Sequence, residues 1–152
     1  MRIPRSDDAP QPRVFWCNTE SGMIHIDIHE HGEADIDQLW RTDPRAAAAV
    51  VATLEQLAAD PRLVDKLTTH GNNQVGIREI NVKRWQRIRA RRGDLWRFRA
   101  LDTPATSIRV VYGYEIQTRQ ICVLGVVHKD EFDYDDPSNP LAQRIINDWR
   151  SL

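Results

Sequence analysis

SIRVVYGYEIQTRQICVLGVVHK, residues 107 to 129, is the stretch whose reading decides the fold. Both flanks are rich in Val, Ile and Tyr, side chains that suit a pleated, half-buried surface. QTRQ (117–120) between them is short enough to close a hairpin. Upstream, LWRFRAL (95–101) and INVKRW (80–85) carry the same signature, so the second half of the chain reads as four successive strands, SIRVVYGYEI (107–116) and ICVLGVVHK (121–129) being the last two. Consecutive strands with short connections pair as an antiparallel meander.

The first half reads differently. VFWCN (14–18) and MIHIDIHE (23–30) flank the turn-forming TESG, which predicts an N-terminal hairpin. In the second of these strands Ile24, Ile26 and Ile28 share one face, and His25, Asp27 and His29 share the other. A short helix is expected from Glu33 to Trp40. Asp43 and Pro44 then supply an N-cap and a first-turn proline for RAAAAVVATLEQLAAD (45–60), with Val50, Leu54, Leu57 and Ala58 as its apolar stripe. Asp60–Pro61 repeats that start signal for RLVDKL, and HGNN (70–73) closes the helical part. Asn139–Pro140 opens a C-terminal helix with Leu141, Ile145, Ile146 and Trp149 along one side. Residues 1 to 12, polar and Pro-rich, read as a flexible tail, and 13 to 152 as one domain. Helices grouped beside a consecutive meander imply an α+β fold, with helices packed on one face of a mostly antiparallel, twisted sheet and the opposite face left free to bind.

A net charge of −1 over 152 residues conceals strong segregation. Between Arg78 and Arg99 only Glu79 and Asp94 oppose a run of arginines and Lys83, while acids gather at 27–37 and 130–136. No apolar run is long enough to span a membrane, and the N-terminus lacks the apolar segment of a signal peptide, so a cytoplasmic location is expected. Cys17 and Cys122 are too few for a disulfide framework and read as reduced core residues.

Along LWRFRAL, Trp96 and Phe98 alternate with Arg97 and Arg99, so the two arginines share a face. Arg109 extends that set, the last strand ends in His128 and Lys129, and Tyr134 follows among Asp130, Glu131, Asp133 and Asp135. Lys83, Arg84 and Arg87, around Trp85, suit phosphate, because a planar guanidinium binds two oxygens at once. Plainer readings stand beside these: a solvated sheet face for the arginines, a strand-end hydrogen bond for His128, and a ring packed on the C-terminal helix for Tyr134. His25, Asp27, His29 and His31 do not match a known zinc spacing and read as a polar outer face, so no metal and no cofactor is expected. GxSxG, P-loop and CxxC motifs are absent.

Several strings, in order, resemble one family: ADIDQL, the helix ending AADPRLVDKL, NVKRWQ, GDLWRFRAL, IRVVYGYEIQTRQICVLGVVHKDEFDYDD and RIINDW. Together, over residues 23 to 150, they look like the RelE/ParE superfamily of toxins from type II toxin–antitoxin pairs, and most like its phage-related cytotoxic translational repressor branch. The resemblance implies a small sheet whose basic face meets mRNA in the ribosomal decoding site, and metal-free cleavage by transfer to the 2′-hydroxyl. It also implies a cognate antitoxin that binds the toxin, a complex with that antitoxin as the working oligomer, and no membrane partner. On this reading Arg97, Arg99 and Arg109 bind phosphate and stabilise its extra charge, Lys129 assists, His128 is base or acid, and Tyr134 is the complementary proton carrier or a stacking platform. Lys83, Arg84 and Arg87 would hold flanking RNA. A second reading is non-catalytic: a gyrase inhibitor of ParE type, or a degenerate toxin acting only through antitoxin binding. The near-neutral net charge and the acids around Tyr134 favour it. Simple alternation puts Trp96 opposite Arg97 and Ile121 opposite His128, so both apolar residues are expected in the core.

Overall fold

The computed structural model describes residues 14–19, 22–90, 93–101, 104–115, 117–133 and 135–152, the side chains among them being those of 26–85 and of 93 onward. Two strands, β1 (Val14–Thr19) and β2 (Gly22–Ile28), form the expected hairpin. Helices α1 (Glu30–Thr42), α2 (Pro44–Ala58) and α3 (Leu63–Leu67) follow. The meander is β3 (Gly71–Val75), β4 (Arg78–Ala90), β5 (Gly93–Ala100), β6 (Ile108–Glu115) and β7 (Gln120–His128), and α4 (Pro140–Ser151) ends the chain. The strands form one sheet of seven in the order β1-β2-β7-β6-β5-β4-β3. Every pairing is antiparallel except β2 with β7, which run parallel over Ile26–Ile121 to Ile28–Val123. The fold is α+β, as expected. The flexible tail expected at 1 to 12 and the Cys17 side chain lie outside the described residues.

Local chemistry explains the helix starts. Asp43 accepts the Ala46 N–H at 3.2 Å with Pro44 in the first turn, and Asn139 accepts the Ala142 N–H at 3.0 Å with Pro140 in the same place. Asp60 acts differently: it bonds the Arg62 N–H and the Lys66 ammonium, and α3 starts only at Leu63, with no side-chain cap. HGNN ends the helical part as expected, and Gly71, Asn72 and Asn73 go on to form β3, a strand not among the four expected. They are held by the register with β4 and by the Asn73 amide, which donates to the Lys66 and Thr69 carbonyls.

Two cores result, one on each face of the sheet. On the first face, α1–α3 bury Ile36, Val50, Leu54, Leu57 and Leu63 against Ile26, Ile80, Phe98, Val110, Tyr112 and Ile121. On the second, α4 lays Ala142, Ile145 and Trp149 over Leu95, Val111, Cys122 and Leu124, and Trp85 and Phe132 join them edge to face at 5.4 Å. The expectation of a free second face is therefore corrected. The amphipathic α4 needs an apolar floor, and the meander is apolar on both sides where β6 and β7 cross it. Glycine makes this approach possible: a Cβ at Gly113 would stand 2.6 Å from the Trp149 ring.

One irregularity governs the geometry of the site. Val111 pairs with Gly125 but Tyr112 pairs with Val123, so Leu124 is an extra residue, a β-bulge in β7. Beyond it β2 has ended, and β7 loses a strand neighbour on that side. Asp35 of α1 takes over there, accepting the Val126 N–H at 3.0 Å and two hydrogen bonds from Arg144 of α4 at 2.6 and 3.1 Å. Arg144 in turn reaches the Leu124 carbonyl at 3.4 Å. One ion pair thus serves the bulged backbone and ties the helices of both faces together.

Candidate nucleic-acid interface

Register sorts the predicted site residues. Lys83 pairs with Arg97, Arg97 with Val111, and Arg109 with Val127. Val111 and Val127 both belong to the second core, so Lys83, Arg97 and Arg109 stand on the α4 side of the sheet. Arg99, two residues from Arg97, shares that side. The β5–β6 ladder ends at Phe98–Val110, so Arg99 and Arg109 lie just past its last pair, at the same end of the sheet.

Their surroundings differ. Arg97 is only 6 % exposed, and its guanidinium reaches the Asn81 carbonyl and side-chain oxygen, each at 3.4 Å. It lines a small pocket together with Lys83, Arg84, Trp85, Val111 and Phe132. Arg99 is half-buried, and its Nε has no hydrogen-bond partner among the described residues. Arg109 donates to the Thr106 carbonyl at 2.8 Å, which aims its fork past the strand end. Lys83 is exposed beside Trp85, and Lys129 is exposed with its N–H bonded to the Ser107 carbonyl at 2.9 Å. The result is a rim of cations, with Arg97 set beneath it as a buried positive charge.

Two predicted members, Arg84 and His128, are turned away from this set. Arg84 pairs in register with Trp96 of the first core, where it lies 5.8 Å over the indole ring and bonds Asp94; its charge is spent within the fold. His128 pairs with Ile108, which also belongs to the first core, so the bulge has turned His128 to the α1–α3 side. Ile121 is fully buried, as expected, but on the same side as His128, which corrects the reading by simple alternation. His128 lines a groove of about 310 Å³ with Asp35, Leu39, Glu131 and Leu141. Its Nδ1 accepts the Asp130 N–H at 3.3 Å and lies 3.4 Å from the Asp130 carboxylate. Arg109 and His128 therefore occupy the same end of the sheet but opposite faces, meeting only around its edge. Tyr134 and the Arg87 side chain lie outside the described residues.

Sequence reasoning missed a second grouping. His29, beyond the end of β2, and His31, in the first turn of α1, meet Asp148 of α4, and one ligating atom of each lies within 4.8 Å of the others. Asp148 is the member no local spacing could reveal, being 117 residues from His31. No protein-family model, curated protein or solved structure matches the chain.

Proposed function

We propose that this protein is the toxin of a type II toxin–antitoxin pair, of RelE kind, that meets mRNA with the cationic rim of its sheet and cuts it during translation. The observation that carries this reading is that register sets Lys83, Arg99 and Arg109, from three successive strands, on one face around a buried Arg97, with the exposed Lys129 just past the end of the next strand. The element order supports it: a hairpin, a helical group, an antiparallel meander and a last helix, in the sequence in which the family-like strings occur.

Metal-free cleavage needs a base for the 2′-hydroxyl, cations for the doubly charged phosphorane, and an acid for the departing 5′-oxygen. Arg109 and Arg99 hold the phosphate oxygens in this reading, and Arg97 adds a fixed field from beneath. His128 reaches the sugar around the end of β7, with Asp130 orienting its ring. Each oriented cation or proton carrier is worth on the order of 10²–10⁴ in rate.

Expression of the protein without a partner should arrest growth and fragment messages under translation. Normal growth with intact mRNA overturns the proposal. One observation favours the non-catalytic reading: the bulge separates His128 from the arginine face. In that case toxicity, if present, should appear as DNA breaks and an SOS response with mRNA left whole.

A further inference from the structure

We infer that His29, His31 and Asp148 form a binding site for a divalent first-row transition metal, zinc by preference, open on one side to a cleft beneath the end of α4. Asp148 Oδ2 lies 2.7 Å from His31 Nδ1 and 3.6 Å from His29 Nδ1. Ligands about 2.0–2.1 Å from a tetrahedral ion stand roughly 3.3 Å from one another, so the two separations bracket the required one. The three residues come from two parts of the fold, the β2–α1 junction and the last turn of α4, which the Asp35–Arg144 ion pair also ties together. His29 and Asp148 are largely sequestered, with 16 % and 12 % of their side chains exposed, whereas His31 is 45 % exposed and gives an ion a way in.

The neighbourhood suits a cation with a vacant coordination position. A cleft of about 270 Å³ adjoins His29 and is lined by Asp27, Glu115, Gln120, Cys122 and Trp149. Asp27 and Glu115 bring two carboxylates to the walls of that cleft. The nearby basic group is Arg144, whose Nε is 4.0 Å from Asp148 Oδ2, and Asp35 offsets its charge through two hydrogen bonds. Two imidazoles and one carboxylate favour zinc and its transition-metal neighbours over magnesium or calcium, which prefer all-oxygen sites. Three protein ligands leave a fourth position for water or a substrate atom, as in zinc sites that do chemistry.

Coordination has a local cost. His29 Nδ1 accepts the His31 N–H at 3.1 Å as the N-cap of α1, and His31 bonds Asp148 directly. The ion replaces both contacts with bonds to itself, clamping α4 onto α1. The site shares no residue with the cationic rim, so it stands or falls independently of the proposed RNA chemistry.

The test is zinc titration of the tag-free, chelator-treated full chain by calorimetry, with cobalt as a spectroscopic probe. One zinc per chain is expected, with the intense visible bands of tetrahedral cobalt, no competition from excess magnesium, and a raised melting temperature. His31→Ala should weaken zinc binding by more than the roughly 10–100-fold typical of losing an outer-shell partner, and should abolish the thermal shift. His70→Ala, outside the cluster, should change neither. Asp148→Asn should match His31→Ala; if it fails to fold, the half-exposed His31 decides alone. No binding, or binding that His31→Ala leaves intact, overturns the inference and reduces the cluster to a hydrogen bond tethering α4.

Discussion

The two arginines at the centre of the proposed site differ in what holds them, and so should their variants. Arg109 is half-buried at a strand end and donates to the Thr106 and Ile108 carbonyls. Arg109→Ala should keep the fold and lose toxicity, by about 10²–10⁴ in cleavage rate. Arg97 is buried, shares a small pocket with Trp85 and Phe132, and is bonded to Asn81. Arg97→Ala should instead lower stability by about 1–3 kcal/mol, through lost packing and broken hydrogen bonds. A thermal melt beside a growth assay separates the two; a well-folded, fully toxic Arg109→Ala protein removes that residue from the site. The sequence showed that Arg97 and Arg99 share a face, because alternation with Trp96 and Phe98 fixes it; the register of β5 with β6 is what adds Arg109. It could not show the side of His128. ICVLGVV is apolar at every position, so no polar residue marks the parity on which alternation depends, and an inserted residue leaves no trace. Asp148 was hidden for a related reason: its partners are brought to it by packing, and no spacing rule links them.

At the scale of elements the sequence was more legible. Caps and prolines placed α2 and α4, apolar alternation placed β2, β5 and β6, and the short QTRQ segment placed the turn between β6 and β7. β3 escaped because Gly71, Asn72 and Asn73 are turn formers whose strand state depends on β4. The cover over the second face was also missed. The apolar side of α4 was visible, but not which face of the sheet it would seek. That helix can now be tested. Trp149 is 3 % exposed, sits on Gly113 and donates to the Gly93 carbonyl at 3.4 Å. Trp149→Ala should cost about 3–5 kcal/mol, seen as a lower denaturation midpoint with loss of the cooperative baseline. A change under 1 kcal/mol, roughly that of a surface substitution, means that α4 does not close the second core.

For the molecule as a whole, alkaline pH probes the first core. Tyr112 is completely buried and donates its hydroxyl to the Leu67 carbonyl at 2.6 Å. Burial holds its phenol well above the ordinary value of 10.0, against a smaller opposing pull from Arg97. The folded chain therefore keeps a proton that the unfolded chain sheds above about pH 10. The stability linked to it is complete below that pH and drains away as pH rises toward the folded value. Denaturant midpoints measured from pH 8 to 11 should fall at the alkaline end, with one tyrosine ionising only on unfolding. Tyr112→Phe should flatten that fall while costing about 1–3 kcal/mol at neutral pH for the abandoned carbonyl. A phenol that titrates normally in the intact protein contradicts this. The parallel joint between β2 and β7 bears on the protein's birth as well. β7 lies between β2 and β6, so synthesis supplies a central strand of the sheet after both of its neighbours. Until Gln120–His128 has emerged, the β1–β2 hairpin has no strand to join beyond itself, and α1 lacks much of the surface it rests on. The sheet therefore closes across its middle only once Gln120–His128 is in place.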